Sequence, residues 1–163
     1  MTLRLVLESL GAFVSYYPVG TPGDFLAVLS TPNAVASLII ISAHGADGGF
    51  HFGDYGPGID VSTLKDGELG PQVIRATSNP SLPIILSTAC GTGTSDMQQA
   101  FLSAGARAFI APGQQPEARD LPLFVHLFAH QLLVRQSSIS AAFEVAKTAV
   151  TDAGMTLALA PQA

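Results

Sequence analysis

The chain has 163 residues, of which 48% are apolar and 12% charged, with a net charge of −5. This length and apolar content suit one core-bearing domain and exclude a disordered chain, while the negative charge and absence of a basic patch argue mildly against a nucleic-acid binder. No apolar run reaches the roughly 18 residues of a membrane span, residues 1–20 lack a signal-peptide pattern, and the single cysteine excludes both a disulfide framework and a multi-cysteine zinc site. A reducing, cytoplasmic setting is the expectation.

Residues 3–8 (Leu3-Arg4-Leu5-Val6-Leu7-Glu8) read as a first strand. Pro18, Gly20, Pro22 and Gly23 mark a loop. A short helix runs from Thr21 or Asp24 to Ser30 and stops before Pro32. Residues 37–43 form a second strand, whose run Ser37-Leu38-Ile39-Ile40-Ile41 does not alternate, as in a parallel strand covered on both faces. The chain is then glycine-rich to Gly58, with Phe50-His51-Phe52 as one arm of a hairpin. Asp60 to Gly70 carries a short helical turn, and Pro71 to Ala76 a helix. Residues 82–88 are a third strand, Asp96 to Ala104 a helix capped by Thr94 or Ser95 and stopped by Gly105, and Arg107 to Ala111 a fourth strand. After a loop over 112–122, apolar residues at helical spacing give an amphipathic helix over 121–135. A last helix spans 138–152, capped by Ser137 or Ser138, with Gly154 beyond it. The final nine residues are apolar and have no assigned element. These elements imply one α/β domain over 1–163: a three-layer α/β/α sandwich around a mostly parallel sheet of four to six strands.

Two stretches share one grammar. Leu38 to Ile41 leads to His44-Gly45, and Ile84 to Ser87 leads to Ala89-Cys90-Gly91. Two parallel strands of this kind put His44 and Cys90 on one sheet edge, where ligands bind in open α/β sheets. A thiolate is a strong nucleophile that needs a base or a lowered pKa, and His44 supplies the proton relay. Backbone N–H groups at Gly45 and Cys90 then form an oxyanion hole. Alone, a strand-end cysteine is more often a small buried hydrophobe and a lone histidine more often structural. The joint pattern is much rarer and favours a functional pair.

The segments Ile39-Ile40-Ile41-Ser42-Ala43-His44-Gly45 and Ile84-Ile85-Leu86-Ser87-Thr88-Ala89-Cys90, with the cysteine 46 positions after the histidine, resemble the caspase-like cysteine peptidases. Ser87-Thr88-Ala89-Cys90-Gly91-Thr92-Gly93, the segment Ala100 to Ile110 and the last two helices are similar to the CHAT branch, over about residues 36–150. The resemblance implies Cys90 as nucleophile, His44 as acid/base, oxyanion donors at Gly45 and Cys90, and peptide hydrolysis through a thioacyl enzyme. It implies a protein or peptide substrate, with Asp47, Thr88 and Gly91 at the substrate, and an activating or regulatory partner. No metal or organic cofactor is expected. Bacterial members of the group serve regulated cell-death or defence systems. The sequence departs from the pattern in three places. It stops before the C-terminal strand of many CHAT domains, has Thr88 where metacaspases carry an acidic residue, and has no tryptophan. Asp47, Asp54 or Asp96 would favour a basic P1 side chain and Arg119 an acidic one, although such charges are usually solvated.

His126 and His130 lie four apart on a helix, but no third ligand accompanies them and a solvated face is the stronger reading. His51 is a candidate to line the cleft near His44, but a surface position is the stronger reading. The glycines form no phosphate-binding fingerprint. A cysteine phosphatase is rejected, because Asp96 stands where its arginine belongs. A glutamine-amidotransferase-like hydrolase places its histidine after the cysteine. The alternative to an enzyme is a catalytically silent module of the same fold, used for assembly or partner recognition.

Overall fold

The computed structural model describes residues 2–32, 36–46 and 48–161. Its helices are α1 (Thr2–Ser9), α2 (Pro22–Ser30), α3 (Pro71–Ala76), α4 (Ser95–Ala104), α5 (Asp120–Ala129) and α6 (Ile139–Ala149). Its strands are β1 (Leu38–Ile41), β2 (Gly45–Ala46), β3 (Gly49–His51), β4 (Glu68–Leu69), β5 (Ile84–Ser87), β6 (Ala108–Pro112) and β7 (Met155–Leu159). The chain divides into two compact units, Met1–Pro18 with Gln115–Gly154, and Val19–Gln114 with Met155–Ala163.

The second unit carries a four-stranded sheet of order β1-β5-β6-β7. β1, β5 and β6 are parallel, and β7 runs antiparallel against β6, with Ala108 opposite Leu159 and Pro112 opposite Met155. This mostly parallel sheet with flanking helices is the α/β class expected. The β-branched runs suit strands buried on both faces. Ile41, Ile85, Phe109 and Ala111 point into a core with Phe25, Leu29, Ile74, Met97 and Phe101, while Ile84, Leu86, Ala108 and Ile110 are buried on the other face. β1 lies at the edge of this sheet, and only its last residue, Ile41, is fully buried.

Local chemistry explains the helices on this sheet. Thr21 caps α2 by accepting the Asp24 N–H at 3.1 Å and donating to the Asp24 carboxylate at 2.8 Å. Thr94 caps α4 by accepting the Met97 N–H, and Gly105 ends that helix with φ +112°. A side chain at Gly105 would collide with the carbonyl oxygen of Asn79. Asn79 itself is buried and donates to the Leu29 and Thr31 carbonyls, tying α2 to the turn before β5.

Several elements differ from expectation. Residues 3–8 are helix α1, not a strand. Leu7 is buried, Arg4 pairs with Glu8 at 2.7 Å one turn on, and Gly11 closes the helix with φ +83°. The Gly11 and Ala12 N–H groups bond the Glu8 and Leu7 carbonyls, the glycine-terminated end of a helix. Asp60 to Gly70 holds no helix. Asp66 (φ +53°) and Gly67 (φ +79°) make a tight hairpin turn, with reciprocal Lys65–Glu68 backbone bonds of 2.9 Å leading into β4. The apolar C-terminal segment is a strand, β7, so the chain does carry a strand after its last helix.

In the first unit, α1 and α6 pack on α5. Helix α5 begins at Asp120 and continues from His130 to Val134 as a π-helical turn, rather than one α-helix to 135. Ser138 caps α6, which ends at Ala149, before a 3₁₀ turn and Gly154 in the left-handed region. Among the described residues no helix is long and apolar enough to cross a membrane.

Candidate active site

Both strands that aim the candidate residues are shorter than expected: β1 ends at Ile41 and β5 at Ser87. These two residues are register partners in the parallel ladder. His44 and Cys90 each stand three positions beyond their partner, so the chain delivers both to the same end of adjacent strands. The Thr88 N–H donates to the Ile41 carbonyl at 2.9 Å, extending the pairing one step toward the site.

The loops then touch backbone to backbone. A Cβ on Gly45 would lie 2.7 Å from the Cys90 carbonyl oxygen, 2.9 Å from the Gly49 carbonyl oxygen and 3.0 Å from the Ala89 Cβ. Any other residue at 45 would push the histidine-bearing and cysteine-bearing segments apart. The next turn also needs a glycine, since Gly91 has φ +66°.

A closed hydrogen-bond ring holds the cysteine turn. The Thr92 hydroxyl donates to the Ala89 carbonyl at 2.8 Å, so Ser87 Oγ is the donor in its 3.0 Å contact with Thr92 Oγ1. Ser87 Oγ in turn accepts the Ala89 N–H at 3.1 Å. Both hydroxyl side chains are fully buried. The Gly91 N–H donates to the Gln114 carbonyl and the Gly93 N–H to the Pro112 carbonyl. The Thr156 hydroxyl reaches the Gly93 and Ala111 carbonyls and accepts from Gln98 Nε2 at 3.0 Å, so β7 anchors the far side of the turn.

Against this background the candidate groups are unspent. Among the described residues, the Cys90 N–H has no acceptor and no hydrogen bond engages the Cys90 thiol or the His44 imidazole. His44 is exposed and Cys90 half-buried. The His51 N–H bonds the His44 carbonyl at 3.0 Å, which makes Gly45, opposite Phe50, a non-hydrogen-bonded position whose N–H faces away from β3. The N–H groups of Gly45 and of Cys90 itself thus stay outside the strand pairing. Thr88 is half-buried, with its hydroxyl 3.3 Å from the Ile41 carbonyl. The Gly91 N–H is committed to the Gln114 carbonyl at 3.0 Å. Asp47 lies outside the described residues.

Asp54 and Asp96 are exposed, Asp96 in the first turn of α4, where the helix dipole favours an acid. Arg119 is exposed beside Asp120. His126 and His130 are half-buried rather than openly solvated, and the described residues contain no group of three metal-ligating side chains. Sequence reasoning missed Ser87, Thr92, Gln98 and Thr156 as the residues that hold the turn. A hydroxyl on each side of Cys90 was the only signal available.

The mostly parallel sheet with flanking helices is the caspase-like α/β fold. The chain superposes on the crystal structure of the Arg-specific cysteine proteinase gingipain R (RgpB) with a TM-score of 0.61 and 14% identity. The match covers 93% of this chain and 37% of that one, so the chain spans little more than a third of the proteinase. No protein-family model and no curated protein matches the sequence.

Proposed function

We propose that the chain is a caspase-like cysteine endopeptidase, one peptidase domain over 1–163, in which Cys90 is the nucleophile and His44 the acid/base. The observation that supports it most is the Ile41–Ser87 register together with the Gly45–Cys90 backbone contact, which bring His-Gly and Ala-Cys to one sheet edge. The Cys90 thiolate attacks the scissile carbonyl carbon. Charge on the carbonyl oxygen is received by the Gly45 and Cys90 N–H groups. Protonated His44 gives its proton to the leaving amine as the C–N bond breaks. Neutral His44 then takes a proton from water as the hydroxide adds to the thioacyl carbon. The C–S bond then breaks, releasing the carboxylic acid and restoring the Cys90 thiolate and protonated His44. The Ser87 to Gly93 motif keeps the CHAT branch as the finer assignment. The substrate is a protein or peptide met in a reducing, cytoplasmic compartment, with Asp47, Thr88 and Gly91 beside it and a partner that completes activation.

The test is labelling of Cys90 by peptidyl electrophiles with varied P1 residues, arginine among them, in the wild type and His44→Ala. Fast, P1-dependent labelling that collapses in the variant is expected. One observation favours a second reading, a silent module of the same fold: no hydrogen bond joins thiol and imidazole. Slow labelling, equal in both proteins and indifferent to P1, would establish that reading instead.

A further inference from the structure

The hairpin that follows His44 sets three titratable side chains in a row. The His51 N–H bonds the His44 carbonyl, and Gly45 opposes Phe50 one step on, so His44 and His51 are directly opposed and share a face. His51 in turn opposes Glu68 on β4, and its Nδ1 lies 2.8 Å from Glu68 Oε1. Phe50 and Leu69 take the other face, into the core. The row Glu68–His51–His44 therefore crosses three segments and ends on the candidate catalytic histidine.

Stability alone gives this carboxylate no reason to be where it is. Glu68 Oε2 is buried with no hydrogen-bond partner among the described residues. Gly49 makes the room, since a Cβ there would lie 2.9 Å from Oε2 and 3.0 Å from the Glu68 Cβ. Lys65, Thr63 and Gln72 line the same cleft of about 190 Å³, yet none of them satisfies Oε2. The one bond the Glu68 carboxylate makes among the described residues is to a histidine whose side chain is 52% exposed, and such surface pairs contribute little. A polar group left unsatisfied to serve one weak surface contact calls for another explanation.

We propose that Glu68 and His51 are positioning residues for His44, an inference that rests on the Cys90–His44 reading. A carboxylate can only accept, so His51 Nδ1 carries the proton shared with Glu68. Neutral His51 is then left with Nε2 as an acceptor, on the face it shares with His44. The His44 imidazole makes no hydrogen bond among the described residues, so it is free to rotate and donate to this acceptor the N–H not used on Cys90, which selects the His44 tautomer and turns its other nitrogen to the thiol.

Cys90 is the only cysteine, so alkylation by iodoacetamide at pH 7 reads this thiol alone. Rates are measured for the wild type, Glu68→Gln and His51→Gln, and for both substitutions on a His44→Ala background. Each is expected to slow alkylation about tenfold when His44 is present, and to leave the already slow His44→Ala rate unchanged. No slowing with His44 present, or equal slowing in both backgrounds, overturns the positioning role while the dyad stands. A His44→Ala protein alkylated as fast as the wild type overturns both.

Discussion

Gly45 and Cys90 meet with no room for a side chain between them: a Cβ at 45 would lie 2.7 Å from the Cys90 carbonyl oxygen. The contact joins the loop after β1 to the loop after β5. It makes the spacing of the two candidate oxyanion donors a property of backbone packing rather than of side-chain rotamers.

Gly45→Ala therefore tests that packing. The neighbouring atoms are backbone and a buried alanine, which yield little. Denaturant unfolding is expected to show a loss of about 1–3 kcal/mol. Electrophile labelling of Cys90 is expected to fall further than this stability loss explains, because the Gly45 N–H is displaced. A variant with native stability and native labelling would show that the loops are free to move apart.

Thr92→Val conserves shape and removes the hydroxyl that closes the ring beneath Cys90. The Ala89 carbonyl loses its 2.8 Å donor and Ser87 Oγ its 3.0 Å acceptor, both in a fully buried setting. The expected cost is about 1–3 kcal/mol in chemical denaturation. Thr92→Ser, which keeps the hydroxyl, should recover most of it.

Gly105 and Gly58 have nearly the same backbone, with φ of +112° and +110°. Their surroundings differ: a Cβ at 105 strikes the Asn79 backbone, whereas a Cβ at 58 meets nothing within 4 Å. Gly58→Ala is expected to lose only the strain of a positive φ, about 1 kcal/mol. Gly105→Ala should lose clearly more, and paired melting curves would read the difference directly.

Asp60 titrates below the ordinary aspartate value because the Ser62 hydroxyl and then the Ser62 backbone N–H bond its carboxylate. The backbone bond to Oδ1 measures 2.9 Å. A lowered folded-state pKa stabilises the turn above the unfolded pKa, and that contribution is lost as pH falls through the folded value. Ser62→Ala should move the Asp60 midpoint upward in an NMR titration. An unmoved midpoint would remove the hydroxyl as the main cause.

Much of the sheet and its helix ends could be read locally. Capping threonines at 21 and 94, glycines at 105 and 154, and the unbroken apolar runs before His44 and Cys90 each act within a few residues. α1 could not be read this way. In so short a segment an alternating pattern and a helical one coincide, and the packing of α1 on α5, with Leu7 buried, is what selects the helix. The Asp66-Gly67 turn was visible in principle, since its residue types favour two successive positive φ values, but the polar stretch around it masked the signal.

By itself the sequence determined that two buried strands would end in His44-Gly45 and Ala89-Cys90-Gly91, because glycine and β-branched residues impose their preferences on their own backbone. Only the tertiary structure decided that Ile41 pairs with Ser87, that β7 closes over β6 to hold Gly93 through Thr156, and that Glu68 and His51 line up beside His44. Each of these is a contact between residues distant in the chain. Register, not local propensity, chooses the partner, and register is settled only when the core that both strands share has packed.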